Sequence, residues 1–171
     1  MVEYVVLVDE NNIEIGVEEK LKAHQDAKLH RAFSIFVFNS KGELLLQQRA
    51  KEKYHCSSLW TNTVCSHPKP NESLEKAVHR RLIEEMGFDC DLKGLFSFIY
   101  KAEFNNGLTE YEYDFVFVGR YDNEKIVPNS DEVMNYKWIT LDNLKKDVEK
   151  NPEKYTPWIK IILEKSDLLK Y

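Results

Sequence analysis

The sequence has few cysteines, no excess of positive charge and no long apolar run. Three cysteines in 171 residues are too few for a disulfide framework, which favours a reducing compartment, so we expect a cytoplasmic protein. Acidic residues outnumber basic ones by 29 to 24, which argues against a broad nucleic-acid surface but allows a small cationic pocket. No apolar run approaches the ~18 residues of a membrane span, and the first ten residues lack the pattern of a signal peptide. We therefore expect neither a nucleic-acid nor a membrane partner.

The remaining composition is typical of a single globular domain covering residues 1–171. Apolar residues make up 43% of the chain and charged residues 31%, and no repeat or linker interrupts it. Strand patterns dominate the middle and helices flank them, which predicts an α+β fold with a mixed or antiparallel sheet covered by helices. We predict strands at residues 2–8, 13–17, 32–38, 43–48, 60–64, 95–104, 109–118 and 136–139, helices at 72–86, 141–150 and 157–169, a charged loop at 50–59, and a loop or short helix at 18–30.

The clearest predicted helix carries a stripe of charged residues. Apolar residues recur at helical spacing between residues 74 and 86, with Asn71 as the expected N-cap and Gly87 as the C-terminal cap. Arg81, Glu84 and Glu85 are neighbours on this helix because they lie three and four residues apart. Such a stripe could hold a metal–phosphate group, or it could be an ordinary solvated face.

Histidines and a cysteine form a second group of candidates. Cys65 and His67 lie two residues apart and would share one face of an extended chain, although a buried cysteine is often inert packing. His24 and His30 precede them, and either could simply be a surface histidine.

A third group is a row of acids on a predicted strand. Glu110, Glu112 and Asp114 alternate along the strand and would point to one side, which could be the solvent side of an edge strand. Alternatively, three histidines and two or three carboxylates from separate segments could form an N₃O₂ site for Mn²⁺, Zn²⁺ or Mg²⁺.

The stretch from residue 66 to residue 88 resembles the Nudix box, G-x5-E-x7-R-E-U-x-E-E-x-G-U, in which U is apolar. Two departures matter: Ser66 replaces the first glycine, and Arg81 replaces a glutamate that binds Mg²⁺ in Nudix hydrolases. A guanidinium at that position opposes a cation but suits a diphosphate. The resemblance therefore implies a Nudix-like fold and speaks against pyrophosphohydrolase activity. The matching residues are Glu72, Arg80, Leu82, Glu84, Glu85, Gly87 and Phe88.

Across residues 20–158 the chain also resembles the type 1 isopentenyl diphosphate isomerase family. The most specific match is the run Trp-Thr-Asn-x-x-Cys-x-His-Pro at residues 60–68. Further matches lie at residues 23–24, 29–33, 80–81, 84–85, 110–112, 131–133 and 156–158.

The resemblance implies a role for each matching residue. The catalytic residues would be Cys65, Glu112 and Tyr100, which would hydrogen-bond Glu112. The ligands of a tightly bound divalent metal (Mn²⁺, Zn²⁺ or Mg²⁺) would be His24, His30, His67, Glu110 and Glu112, and Glu85 would bind a second Mg²⁺ that bridges to the diphosphate. The substrate would be held by Lys20, Arg49, Lys53 and Arg81, with the Trp158 indole near its hydrocarbon end. No role is implied for His55 and His79, which we expect at the surface or in packing, or for Asp114.

The implied reaction converts isopentenyl diphosphate to dimethylallyl diphosphate through a tertiary carbocation. Glu112 with Tyr100 would protonate C4, and Cys65 would remove the C2 proton as a thiolate whose pKa is lowered by a nearby cation. The ring face of Trp158 could stabilise the cation. We expect a monomer, and residues 18–30 could close over the site as a lid.

Three alternatives stay open at this point. The first is a Nudix pyrophosphohydrolase acting on a nucleoside diphosphate derivative. The second is a non-catalytic Nudix domain that binds a phosphate ligand or a partner protein. The third is a structural zinc site built from Cys56, Cys65 and His67, although this spacing matches no zinc-finger pattern.

Overall fold

The computed structural model describes residues 2–53, 55–123 and 125–169, which form a mixed β-sheet with helices on both faces. This arrangement confirms the predicted α+β class. The strands in this part of the chain are β1 (Tyr4–Val8), β2 (Glu14–Glu19), β3 (His30–Phe38), β4 (Glu43–Arg49), β5 (Trp60–Thr61), β6 (Val64–Ser66), β7 (Leu92–Glu103), β8 (Thr109–Arg120) and β9 (Val133–Thr140). The helices are α1 (Lys20–Gln25), α2 (Leu74–Met86), α3 (Leu141–Lys150) and α4 (Pro157–Glu164), with 3-10 turns at Pro152–Lys154 and Ser166–Leu168. None of these helices, in the described ranges, is both long and apolar enough to cross a bilayer.

Strand β3 lies inside the sheet and pairs with strands from several parts of the chain. It runs parallel to β8, with His30 opposite Glu112. It is antiparallel to β6, where Ser34 lies opposite Cys65. Backbone pairing therefore brings together three candidate site residues that are far apart in the sequence.

The two faces of β3 contribute to two apolar cores. Successive residues of a strand point to opposite faces, so Phe33 packs in the cluster that includes α2, whereas Phe36 packs in the cluster that includes α3 and α4. His30 and Ser34 share the parity of Phe36. The candidate site residues on β3 therefore face the side of the sheet that α4 covers.

The boundaries of α2 differ from the prediction at its start only. Ser73, not Asn71, is the N-cap, since its hydroxyl accepts a hydrogen bond from the Lys76 backbone N–H at 3.3 Å. The prediction of Asn71 is wrong because that residue has φ 64°, a left-handed turn conformation two residues before the cap. Gly87 is confirmed as the C-terminal cap with φ 76°, and a Cβ there would also overlap the Val127 carbonyl oxygen.

Three other segments also differ from expectation. Residues 18–30 contain the end of β2 and the six-residue α1, so this segment is ordered secondary structure for part of its length. The last helix ends at Glu164 rather than near residue 169, because the Lys165 N–H turns back to the Ile162 carbonyl at 2.9 Å. The predicted piece at 60–64 is two short strands, β5 and β6, separated by a connection. The predicted loop at 50–59 is confirmed except at Tyr54, which lies outside the described residues.

Candidate functional site: a buried metal-ligand cluster in a cationic cavity

Two fully buried histidines, His24 and His30, lie at the base of the site. In each of them one ring nitrogen is hydrogen-bonded to a backbone carbonyl oxygen. The Nδ1 atom of His24, on α1, is 2.6 Å from the Lys20 carbonyl oxygen, and the Nδ1 atom of His30, on β3, is 2.8 Å from the Lys28 carbonyl oxygen. A carbonyl only accepts hydrogen bonds, so each Nδ1 carries the proton. In the neutral rings both Nε2 atoms then present a lone pair to the interior, which is the usual arrangement of a metal-binding histidine.

The two glutamates of β8 face these histidines. Glu110 Oε2 lies 3.1 Å from His24 Nε2, while Glu112 Oε1 lies 2.8 Å from His67 Nε2 and 3.6 Å from His30 Nε2. Both glutamates are buried. The alternative that this row of acids forms the solvent side of an edge strand is therefore wrong.

These five residues fit a divalent cation. One ligand atom from each of them lies within 4.8 Å of all the others, and His30 Nε2 is buried without a hydrogen-bond partner among the described residues. Imidazole lone pairs that face carboxylate oxygens require a positive charge between them. The structure thus brings together the five predicted ligands in a set of nitrogen and oxygen donors that suits Mn²⁺ or Zn²⁺, and less typically Mg²⁺.

The charges of the cluster shift the pKa values of its members. Burial opposes ionisation of Glu110, but its contacts with His24 and His55 outweigh it and hold the pKa of Glu110 well below its ordinary value. Burial and the Glu110 charge oppose ionisation of Glu112, yet contacts with His30 and His67 lower its pKa. Burial lowers the pKa of His67 to about 4, so this ring is neutral at neutral pH and available as a ligand.

Tyr100 and Cys65 complete the predicted catalytic group. Tyr100 lies opposite Glu112 in the β7–β8 ladder and donates a hydrogen bond from its hydroxyl to Glu112 Oε2 at 2.6 Å. Cys65 and Glu112 line the same cavity. The carboxyl group of Glu112, hydrogen-bonded by Tyr100, and the thiol of Cys65 therefore line one cavity.

The electrostatics of Cys65 differ from expectation. Burial, followed by the charges of Glu112, Asp114 and Glu110, raises the pKa of the thiol well above its ordinary value, and Arg49 offsets only part of this. The prediction of a lowered pKa is therefore wrong for the protein's own groups, because burial and the neighbouring carboxylates outweigh the effect of Arg49. The resting thiol is protonated.

The loop that presents Cys65 is held by side chains to which the sequence analysis gave no role. Asn62 donates from Nδ2 to the Val64 carbonyl oxygen at 2.6 Å, and Thr63 donates from its hydroxyl to the Leu45 carbonyl oxygen at 2.7 Å. The Thr61 hydroxyl accepts a hydrogen bond from Trp158 Nε1 at 2.8 Å. The conspicuous Trp-Thr-Asn-Thr run thus fixes the loop and the indole rather than supplying chemistry.

The cluster borders a cavity of about 640 Å³. The four predicted diphosphate-binding cations, Lys20, Arg49, Lys53 and Arg81, also line this cavity, and we call them the rim. Trp158 lines the cavity as well. Lys20 pairs with Glu3 at 2.8 Å, and Lys53 pairs with Glu132. Arg49 differs from both: its Nε is buried without a hydrogen-bond partner in the described part of the chain, and its guanidinium lies 5.5 Å from the centre of the Trp158 ring.

Three charged residues of α2, Arg81, Glu84 and Glu85, are joined by hydrogen bonds. Arg81 donates to Glu84 at 2.8 Å and to Glu85 at 2.7 Å, and the second Glu85 oxygen accepts from Gln47 Nε2 at 2.7 Å. Burial opposes the charge of Arg81, but Glu85, Glu132 and Glu84 outweigh it and raise its pKa. Glu85 belongs neither to the five-donor cluster nor to the cavity lining, as far as the described residues extend.

Arg80, which matches the arginine of the Nudix box, has a structural role. It donates two hydrogen bonds to the Glu72 carboxylate, at 2.7 and 2.8 Å. The same carboxylate also accepts a hydrogen bond from the Lys69 backbone N–H at 2.8 Å. This pair ties the segment that follows His67 to α2.

Two residues without a role predicted from the sequence, His55 and Asp114, are buried beside the cluster. His55 is 8% exposed and its Nε2 contacts Glu110 Oε1, so it is not a surface residue. Asp114 is fully buried and accepts a hydrogen bond from Ser34 at 2.8 Å, and burial together with the Glu112 charge raises its pKa well above its ordinary value. Its alternation with Glu110 and Glu112 was the available signal.

The structure also tests the expectation that His79 is a surface residue and the alternative of a zinc site with Cys56 and Cys65. His79 is partly exposed and pairs with Asp89 at 2.6 Å, as expected for a surface residue. The alternative zinc site is wrong: the only potential metal-ligand group among the described residues contains neither Cys56 nor Cys65.

Comparison with known proteins agrees with this geometry. The NUDIX domain family model matches residues 28–159. An isopentenyl-diphosphate Delta-isomerase 2 of Photorhabdus laumondii is 55% identical over 163 residues, covering 95% of this chain and 92% of the relative. An isopentenyl-diphosphate Delta-isomerase of Burkholderia multivorans is 46% identical over 168 residues, covering 98% and 95%.

Two solved structures share the fold at low sequence identity. A Deinococcus radiodurans protein superposes with a TM-score of 0.80 at 19% identity, covering 95% of this chain and 98% of that one. A MutT protein of Methanosarcina mazei superposes with a TM-score of 0.68 at 21% identity, covering 81% and 93%. The similarity in sequence over nearly full length shows that the chain belongs to the NUDIX domain family and, within it, to the isopentenyl-diphosphate Delta-isomerases.

Proposed function

We propose that the chain isomerises isopentenyl diphosphate to dimethylallyl diphosphate. The reaction adds a proton at C4 and removes one from C2, and the tertiary carbocation between these steps must be kept from water. The observation that carries the proposal is the shared cavity, in which Cys65 lies with Glu112 while Tyr100 hydrogen-bonds that glutamate. Membership of the isomerase family is consistent with this assignment.

Glu112, oriented by Tyr100, gives a proton to C4, and Cys65 takes the proton from C2. Because the resting thiol is protonated and Glu112 is ionised, this direction starts after one proton has passed from Cys65 to Glu112. In the reverse direction the two groups exchange roles, since each then performs the opposite proton transfer. A divalent ion held by the five-donor cluster would supply positive charge beside Glu112 and fix its position. The donor types favour Mn²⁺ or Zn²⁺, and Mg²⁺ is the third candidate.

The diphosphate anchors the substrate at the cationic rim. Arg49 offers a buried donor beside the Trp158 ring, and Lys20 and Lys53 offer charges that now contact carboxylates. Arg81 offers a guanidinium held by Glu84 and Glu85. Glu85 would hold a second Mg²⁺ beside the diphosphate; its two oxygens now accept hydrogen bonds from Arg81 and Gln47, and this ligand role stays a prediction.

We further propose that residues 1–171 act as one catalytic unit, as a cytoplasmic monomer that binds neither nucleic acid nor membrane. The free thiols and the net charge of −5 support this proposal.

The test is incubation with isopentenyl diphosphate and Mg²⁺ in D₂O, followed by NMR of the methyl signals. Formation of dimethylallyl diphosphate carrying deuterium is the expected result. Release of phosphate would instead identify a hydrolase, and a bound but unchanged substrate would identify a non-catalytic domain.

A further inference from the structure

A buried imidazole outside the five-donor cluster touches one of its ligands. His55 Nε2 contacts Glu110 Oε1, and both side chains are almost fully buried. The other oxygen of the same carboxylate, Oε2, lies 3.1 Å from His24 Nε2. The two oxygens of Glu110 therefore face different histidines.

The chemistry of the two contacts differs. His24 uses its Nδ1 proton on the Lys20 carbonyl, so in the neutral ring its Nε2 presents a lone pair towards Glu110 and towards any ion between them. The contact with His55 has no space for an intervening ion, and an ionised carboxylate only accepts hydrogen bonds. His55 Nε2 must therefore carry a proton and donate it to Glu110 Oε1.

The His55 ring is confined by aromatic neighbours. Its centre lies 5.5 Å from that of Phe104 and 6.2 Å from that of Trp158, and 5.6 Å from that of His24. A ring held on these sides has little rotational freedom, so the hydrogen bond to Glu110 has a defined direction.

We infer that His55 is a positioning residue for the metal site: its hydrogen bond occupies Glu110 Oε1 and leaves Oε2 as the single oxygen directed at the ion. Hydrogen bonds from outside the ligand set orient the ligands, and their loss commonly weakens metal binding about 10–100-fold. The inference rests on the metal site of the proposed function.

The experiment measures Mn²⁺ affinity of the full chain, stripped with a chelator, by competition with a metal-binding dye. Two variants remove the donor: His55→Ala, and His55→Phe, which fills the same space between the aromatic rings. His55→Gln keeps an N–H donor near the position of Nε2. His79→Ala is the matched control, because it removes a histidine from an exposed pair with Asp89.

We expect His55→Ala and His55→Phe to bind Mn²⁺ about 10–100-fold more weakly than wild type, with His55→Gln close to wild type and His79→Ala unchanged. Should His55→Ala fail to fold by circular dichroism, His55→Phe carries the comparison. Wild-type affinity in the Phe variant, or an equal loss in the Gln variant, would overturn the inference. Failure of the wild-type protein itself to bind Mn²⁺ or Zn²⁺ would overturn the metal site of the proposed function instead, so the two failures are distinguishable.

Discussion

The five-donor cluster, which we call the floor of the cavity, and the cations of the rim differ in how their charges are balanced. On the floor, Glu110 and Glu112 face imidazole nitrogens, and no lysine or arginine of the described chain forms an ion pair with them. On the rim, Lys20 and Lys53 each already contact a carboxylate of the protein. The floor lacks a cation, whereas Lys20, Lys53 and Arg81 on the rim are already paired with carboxylates of the described chain.

This difference separates two kinds of preorganisation. The floor is built rigidly, from paired strands and from histidines fixed by backbone carbonyls, and it suits an ion that completes it. On the rim, Lys20 and Lys53 lie in ion pairs, so a diphosphate that binds these lysines replaces the carboxylates of Glu3 and Glu132. Loss of a floor residue should therefore damage the enzyme more than loss of a rim carboxylate.

The largest expected effect comes from removing either proton-transfer group. We expect Glu112→Gln and Cys65→Ala each to lower turnover by about 10²–10⁴-fold, since each removes an acid–base group in contact with the reacting atoms. The measurement is the rate of dimethylallyl diphosphate formation by NMR. Cys90→Ala, which changes a half-buried cysteine outside the cavity lining, is the control. Retention of wild-type turnover by Cys65→Ala would remove the thiol from the mechanism.

An intermediate effect is expected from metal removal. An ion that binds only the folded state stabilises it by about 2.7 kcal/mol at a concentration 100 times its dissociation constant. Chelator treatment should therefore lower the melting temperature of the wild-type protein, and Zn²⁺ or Mn²⁺ should restore it. In His30→Ala, which loses a floor ligand, chelation should leave the melting temperature nearly unchanged, whereas Lys53→Ala, on the rim, should respond like wild type. An equal response of all three proteins would contradict the distinction between floor and rim.

The smallest effect is expected from releasing a rim cation. Glu3→Gln should lower KM for isopentenyl diphosphate a few-fold, because Lys20 no longer has to leave a carboxylate before it binds the diphosphate. Glu18→Gln is the matched control, since Glu18 pairs with Lys28 at 2.6 Å and neither residue lines the cavity. A rise in KM for Glu3→Gln, with Glu18→Gln unchanged, would show that Glu3 assists binding.

The Glu3 pair also has a defined pH dependence. Lys20, followed by Arg81 and His67 and against the effect of burial, lowers the pKa of Glu3 to about 2. A lowered pKa means that the stabilisation is present above the unfolded value, near ~4.3, and is lost as pH falls towards 2. The stability difference between wild type and Glu3→Gln should thus be constant from pH 6 to 8 and disappear in strong acid. Urea denaturation at several pH values measures it.

The sequence predicts the regular elements of the fold better than its irregular ends. Leu141–Lys150 is a helix with the predicted bounds, because its apolar spacing and the cap at Thr140 agree. The helix start at Ser73 was missed because Asn71 is an equally good cap in composition, and only the left-handed turn at that residue decides between them. Local patterns cannot foresee which of two capping residues the preceding loop presents.

The site was predictable only in part for a similar reason. The five candidate ligands could be proposed by resemblance. The parallel β3–β8 pair brings His30 to Glu112, and the β3–β6 pair brings the segment of His67 to the same place. His55 and the direction of the Cys65 pKa shift were not foreseen. Both depend on charges and contacts that come from distant segments, so spacing along the chain contains no signal for them.

The most direct test of the central claim is the metal content of the protein after saturation with a mixture of Mn²⁺, Zn²⁺ and Mg²⁺ followed by desalting, determined by elemental mass spectrometry. The account predicts one retained divalent ion per chain in the wild type, close to none in His30→Ala, and one in Glu3→Gln. A wild-type protein that retains no ion, or a His30→Ala variant that retains as much as wild type, would contradict it.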